Sequence, residues 1–550
     1  METMRSYWSK GIPEKLTYRQ GEKTLYSYLE ENARIIGNET AYIFYGNRLT
    51  WKRLLEEINQ FSCYLKNKGV RKGSFIALYL QNCPQYIIAH YSIQQLGGIV
   101  VPLNPMYKES ELAYFLKEVP IKGVICSEDG LQRIRKAEKQ TTALSFIVST
   151  SYSDYLPPEK PAPAIDEFRF PSVEKNASDD WLTILKTHDP YREKAEIDLW
   201  NDPSLIVFTS GTTGRPKGAM LTYGNALFKT AASVQANGMG ENERMMAHAP
   251  LCHIAGMVMG LNIPVYTGNP CVLFTRFDPV LTVDVIEEER ITLWYSVAPM
   301  NGAILQLPDL DKRDLSSLKH NLATSFGMQV TEELARQWEK VTGGCIMHEA
   351  AYGLSETHTC DTFMPKDKIK FGSCGIPVYD TEMKIVDPET GQEKPQGESG
   401  EIIIKSPGVF KGYYNRKDAT AETLRDGWVY TGDIGYFDED GYLYFQGRLK
   451  EMIKSSGYSI FPEDVEALLN EHPAVLQSAV IGVPDPVKGE QVKAFVVLRE
   501  KNKESVTSEE LIRWAKENMA AYKYPRQIEI LEYLPATPSG KILRKLLKEK

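Results

Sequence analysis

Apolar positions along this chain gather into short runs separated by amphipathic stretches. The runs Phe75–Leu80, Gly123–Cys126, Leu205–Phe208 and Cys271–Phe274 predict buried strands. Between them, Trp51 to Lys68 carries Leu54, Leu55, Ile58, Phe61 and Leu65 at spacings that favour a helix. Alternation of this kind points to an α/β fold of mostly parallel sheets covered by helices. Near the C-terminus the pattern changes. Pro462–Glu471 reads as a helix with Pro462 in its first turn, and Val475–Val483, Val492–Leu498 and Ile528–Leu531 read as strands. Ser508–Met519 reads as a helix with Ser508 as its cap. Together these predict a small α+β domain over 450–550 behind a large domain over 1–449, with the linker inside Gly447–Met452. Ser153–Pro163, rich in Pro, Ser and charge, is expected to be a surface loop.

The composition is that of an ordinary globular protein, 42% hydrophobic and 25% charged over 550 residues, which excludes a disordered or fibrous chain. Basic residues number 64 against 72 acidic ones, so nothing suggests nucleic-acid binding. The most apolar stretch, Leu251–Phe274, is broken by His253, Asn262, Pro264, Thr267 and Pro270, and reads as core or pocket wall rather than a membrane span. The N-terminal residues lack a signal peptide's apolar core, so a cytoplasmic protein is expected. Eight cysteines without a CxxC pair read as reduced thiols, and eight scattered histidines give no zinc spacing.

The most informative segment is Leu205–Gly218. An apolar strand leads into Thr209-Ser210-Gly211-Thr212-Thr213-Gly214, with Lys217 just behind. Small residues let backbone N–H groups curl around an anion, hydroxyls add donors, and the lysine adds a cation. The spacing differs from the common GxxxxGK[ST] loop, because Pro216 precedes Lys217 and no Ser or Thr follows it. A second signal is Tyr430–Arg448. Asp440-Gly441 between alternating runs predicts a two-residue hairpin, which sets Asp433 directly opposite Arg448; a longer loop would shift that pairing. As a mere cross-strand ion pair it would contribute about 0.2–1 kcal/mol.

With Tyr352-Gly-Leu-Ser-Glu356, Lys454–Glu463, Pro535–Arg544 and Ala249–Met257, these segments resemble, in order, the motifs of the AMP-forming adenylate-forming superfamily. That superfamily comprises acyl-CoA synthetases, peptide-synthetase adenylation domains and luciferases, and the resemblance runs from about Thr24 to Lys550. It implies ATP, Mg²⁺ and coenzyme A as ligands. By the same resemblance, Tyr352 stacks on adenine, with Ser355 in place of the usual Thr. Glu356 is implied as the Mg²⁺ ligand, since a hard cation takes oxygen. Ser325–Gln329 is a looser match that implies Gly327 beside adenine and the acyl group, and Asp433 and Arg448 are implied at the ribose. Ser456 and Gly457 are implied at the pantetheine channel, Lys450 at a hinge, and Lys541 as the catalytic lysine. A fixed ammonium about 4 Å from the α-phosphate contributes roughly 4 kcal/mol at an effective dielectric of 20, about three powers of ten in rate. His253 is implied to close over the acyl carboxylate, and with Gly256, Met257 and Gly327 it suggests an apolar acyl pocket. With no acidic residue placed to grip an ammonium, the leading expectation is an ATP-dependent ligase joining a medium- to long-chain fatty acid to CoA. A short, hydroxy or aryl acid, a luciferase-like oxygenase, and a silent acyl- or nucleotide-binding protein remain alternatives. The expected partners are small molecules, and the oligomeric state is left open.

Overall fold

The computed structural model describes residues 8–9, 11–141, 144–157, 179–209, 216–326, 328–455, 458–485, 489–503, 505–537 and 542–548, and all counts below are of these. Two seven-stranded sheets form the body. In spatial order the first runs Asp179–Asp180, Phe146–Thr150, Ile121–Ser127, Phe75–Tyr79, Ile99–Pro102, Pro203–Thr209, Lys217–Thr222. The second runs Met347–Glu349, His320–Thr324, Leu293–Val297, Met245–Ala247, Cys271–Leu273, Thr40–Phe44, Asn47–Thr50. Each is parallel except for one antiparallel hairpin at its last edge. Ile76 to Leu80 are all buried, as expected where helices cover both faces of a parallel sheet.

Trp51–Asn67 is helical, opened by Thr50, whose hydroxyl oxygen accepts from the Arg53 N–H at 3.2 Å. Its stripe of Leu54, Ile58, Phe61 and Leu65 is fully buried. Pro84–Gln95 and Tyr223–Ala236 are buried nearly all round, so they show no single apolar stripe. One core joins these helices to both sheets. Beside it lies an antiparallel sheet built on Glu382–Val386, Gly400–Lys405, Trp428–Phe437 and Leu443–Arg448.

The smaller C-terminal domain has its own five-stranded sheet and its own core around Val465, Val480, Val496 and Leu511. Its helix Ser508–Asn518 is capped by Thr507, not by Ser508. The Thr507 hydroxyl accepts from the Glu510 N–H at 3.3 Å, and the Glu510 carboxylate accepts from the Thr507 N–H at 2.9 Å. Thr-x-x-Glu can close this reciprocal box, whereas the Ser508 spacing ends on Leu511.

One other expectation changes. Within the expected loop Ser153–Pro163, Ser153 is exposed but Tyr155 is buried at the end of a 3₁₀ turn over Tyr152–Tyr155, and 158–163 lie outside the described residues. Leu251–Phe274 is core and cavity wall, as expected, and holds three short helical pieces, the middle one a π-helical turn at Val258–Asn262. No described helix is long and apolar enough to cross a membrane. All eight cysteines are free thiols.

Candidate active site

Parallel α/β sheets leave a crevice at the carboxyl ends of their strands, and ligands collect there. Thr209, Thr324 and Glu349 each end a strand, and all three border one cavity of about 910 Å³. Thr209 pairs with Lys217 across the hairpin at the sheet edge, and both border the cavity. The connecting Ser210, Gly211, Thr212, Thr213 and Gly214 lie outside the described residues. The chain at 411–414 runs beside the outer hairpin strand. The Met220 N–H donates to Gly412 O at 3.0 Å, and the Tyr414 N–H donates to Gly218 O at 2.8 Å. This sets the Tyr413 ring under the Lys217 ammonium, 4.9 Å from Nζ to the ring centroid.

Tyr352 to Asp361 forms a tight knot. His358, Thr359 and Cys360 all take positive φ, at 59°, 56° and 50°. Non-glycine residues hold such angles only where their surroundings over-determine them. Gly353 lets the knot close, because a Cβ there would stand 2.6 Å from the Cys360 nitrogen. Asp361 anchors its base through Lys229, at 2.5 Å, with both side chains fully buried. At the top, Glu356 borders the cavity and its Oε1 accepts from the Tyr413 hydroxyl at 2.6 Å. Tyr352 and Ser355 border the same space.

Asp433 and Arg448 are paired across their hairpin, with Nε 2.6 Å from Oδ1. Two departures from the expected hairpin cancel to produce this register. The turn is longer than two residues: Phe437 pairs with Leu443, and the Gly441 N–H donates to Asp438 O at 3.0 Å. That shifts the pairing by one, and a bulge between Ile434 and Gly435, opposite Gln446, shifts it back. The Tyr352 hydroxyl donates to Asp433 Oδ2 at 2.6 Å, joining this pair to the knot.

His253 borders the cavity, but Gly256 and Met257 do not; Ile254, Ala255 and Met259 do. Gly256 packs against the chain, where a Cβ would sit 2.1 Å from Pro250 O, and Met257 is buried in the core. The π-helical turn that follows resets the facing and turns Met259 to the cavity. Gly327 lies outside the described residues.

From the small domain, Arg544 reaches the cavity. It pairs with Glu451 at 2.6 Å, Glu466 at 2.8 Å and Glu463 at 3.0 Å. Burial raises the Glu463 carboxyl above the ordinary range. Lys450, exposed in the turn after Arg448, also borders the cavity. Ser456, Gly457 and Lys541 lie outside the described residues.

The model of the AMP-binding enzyme family matches residues 29–414, and that of the AMP-binding enzyme C-terminal domain matches 464–541. The chain belongs to the AMP-binding enzyme family. It is an AMP-forming acid–thiol ligase, acting on a carboxylic acid, ATP and CoA. It is 37% identical to a long-chain-fatty-acid–CoA ligase of Bacillus subtilis, covering 96% of this chain and 94% of that one. It is 34% identical to a feruloyl-CoA synthase of an Amycolatopsis species, over 94% of this chain and 97% of that protein. Among solved structures it resembles the anthranilate CoA ligase AuaEII in complex with anthranoyl-AMP. That likeness has a TM-score of 0.83 at 29% identity, over 96% of this chain and 97% of the other.

Sequence reading passed over two residues of this AMP-binding enzyme. One is Tyr413, whose neighbours come from distant segments. The other is Glu349, whose carboxylate accepts from the Ser325 hydroxyl at 2.5 Å and from its N–H at 3.2 Å. Burial raises the Glu349 carboxyl to about 7. A strand ending on a carboxylate was a visible signal, because strand ends are where α/β sites form.

Proposed function

We propose that this ligase activates a medium- to long-chain fatty acid in two steps. The carboxylate oxygen attacks the α-phosphorus of ATP and pyrophosphate leaves. The CoA thiol then attacks the acyl carbon, loses its proton, and AMP leaves. The observation that carries this reading is that Thr209, Lys217, Glu356, Tyr352, Asp433 and Arg448 border one cavity with His253. The hairpin loop from Thr209 to Lys217 takes the phosphates, with Tyr352 and Ser355 near adenine and Asp433 and Arg448 at the ribose. His253 closes over the acyl carboxylate, and Gly327 lines both subsites. Glu356, an oxygen donor at the cavity wall, fits as the residue that holds Mg²⁺. Bound Mg²⁺ would neutralise phosphate charge. Residues 450–550 turn about Lys450 against 1–449, bringing Lys541 to the α-phosphate for the first step. Ser456 and Gly457 come to the pantetheine arm for the second. A few linker residues absorb such a rotation.

The Bacillus subtilis relative and the apolar Ile254, Ala255, Met259 and Leu322 of the cavity wall support a fatty acid. Glu349 on the same wall, with the feruloyl-CoA synthase relative, favours a second reading, an aryl acid with a polar substituent. AMP release with CoA across C2 to C18 acids and aryl acids separates them. Each methylene buried adds about 0.8 kcal/mol, so kcat/KM should rise about fourfold per carbon until the pocket fills. A maximum at an aryl acid would replace the fatty-acid reading by the second, and a maximum at acetate would sink both.

A further inference from the structure

Lys217 and Glu356 carry opposite charges on the wall of one cavity, yet neither forms an ion pair with a described residue. Between them stands Tyr413, 7% exposed. Its hydroxyl donates to Glu356 Oε1 at 2.6 Å, while its ring lies under Lys217 Nζ at 4.9 Å. The Tyr413 backbone is itself fixed. Its N–H donates to the Thr420 hydroxyl at 2.9 Å, and the neighbouring Phe410 N–H donates to Glu356 O at 2.8 Å. Gly412, at φ +118°, makes the turn into this position; a Cβ there would meet Thr420 Cγ2 at 2.6 Å.

A ring face attracts a cation through its quadrupole, and a phenol hydroxyl takes one lone pair of a carboxylate. One side chain thus engages both charges with different parts of itself. A carboxylate has about four lone-pair sites, and the described residues occupy Oε1 alone with hydrogen bonds. We propose that Tyr413 is a positioning residue that keeps the Lys217 ammonium and the Glu356 carboxylate apart and holds both toward the phosphates of ATP. It rests on the reading of Glu356 as the residue that holds Mg²⁺. By fixing the carboxylate, Tyr413 couples nucleotide binding to the metal; by fixing the ammonium, it supports nucleotide binding without metal.

Equilibrium ATP binding, measured by calorimetry without acid or CoA, in EDTA and in excess Mg²⁺, tests this. In Y413F the ring remains and the hydroxyl is lost. The gain in ATP affinity on adding Mg²⁺ should shrink about fivefold or more, with metal-free affinity within twofold of wild type. In Y413L the ring is lost too, and metal-free affinity should also fall, about fivefold. E356Q should abolish the Mg²⁺ gain, and K217A should lower metal-free affinity. Y413F is nearly isosteric, and a melting temperature close to wild type verifies its fold. If E356Q loses the gain while Y413F retains it, Tyr413 does not position Glu356 and the proposal is overturned. If E356Q retains the gain, the metal reading of Glu356 fails and the proposal falls with it. A twofold or smaller change in metal-free affinity for Y413L would remove the Lys217 half.

Discussion

Asp361 and Asp433 share two kinds of contact in two regions of the large domain. Each pairs Oδ1 with a basic side chain, Lys229 at 2.5 Å and Arg448 at 2.6 Å. Each accepts a hydroxyl hydrogen bond on Oδ2, from Thr357 and from Tyr352. They differ in their cations. Lys229 is wholly buried, whereas Arg448 keeps 30% of its side chain exposed, on the cavity wall. An enclosed pair has no partner left to gain, so its effect is on the shape of the knot above it. An open pair orients groups that a ligand can still meet. The chemistry of the residues is shared, and enclosure decides which of them a ligand in the cavity can still reach.

Breaking the closed pair should have the largest effect on folding. Lys229→Met leaves Asp361 buried without its cation, a change that costs roughly 3–5 kcal/mol. Burial already holds the Asp361 carboxyl above its ordinary range, so protonation relieves part of this and the lower end is expected. The denaturant midpoint should fall sharply, and an unchanged midpoint would deny Asp361 its anchoring role. Arg448→Met should reverse the weighting. Asp433 is itself 2% exposed but keeps the Tyr352 hydrogen bond, and its lost partner was 30% exposed, so the stability loss should be smaller than for Lys229→Met. ATP affinity should drop 10- to 100-fold, the scale of about 1.5–3 kcal/mol for a charged hydrogen bond. Retained ATP affinity with a large stability loss would make both pairs structural.

Glu349 extends the comparison to a carboxylate with no cation partner among the described residues. Burial raises it from 4.5 to about 7, so the folded chain holds this proton more firmly than the unfolded chain does. Its contribution to stability is therefore fully present below about pH 4.5 and lost as pH rises through about 7. Glu349→Gln keeps an acceptor for Ser325 and removes the charge. It should stabilise the protein by about 1 kcal/mol at pH 8, discounting for cavity water, and by almost nothing at pH 4. Thermal melts at the two pH values measure this, and equal shifts at both would remove the buried charge as the cause.

The layered architecture was legible because strands buried on both faces must be apolar runs, as in Phe75–Tyr79 and Pro203–Thr209. Position along those strands also located the site, since loops at their carboxyl ends carry the polar groups. The Asp433–Arg448 register came out as expected through two compensating shifts, because a turn's composition does not reveal a bulge several residues away. Met259, rather than Gly256 or Met257, faces the cavity after a π-helical turn that periodicity at 3.6 residues does not show. Tyr413 was illegible for a different reason. Its contacts, and the role proposed from them, depend on three segments, 217, 356 and 413, that meet only in the folded chain.

The seam between 218–220 and 411–414 also constrains the length of the chain. Successive residues of an extended segment point to opposite sides, so losing or gaining one residue exchanges those sides. Tyr413 faces the cavity, while its neighbour Tyr414 packs edge-on against Phe75, 5.3 Å away. A one-residue slip would put one tyrosine in the other's place, where it is met by the wrong surroundings: an aliphatic and aromatic core on one side, two opposite charges on the other. Length at 411–414 is thus as much a part of this enzyme's specification as the identity of any side chain in its site.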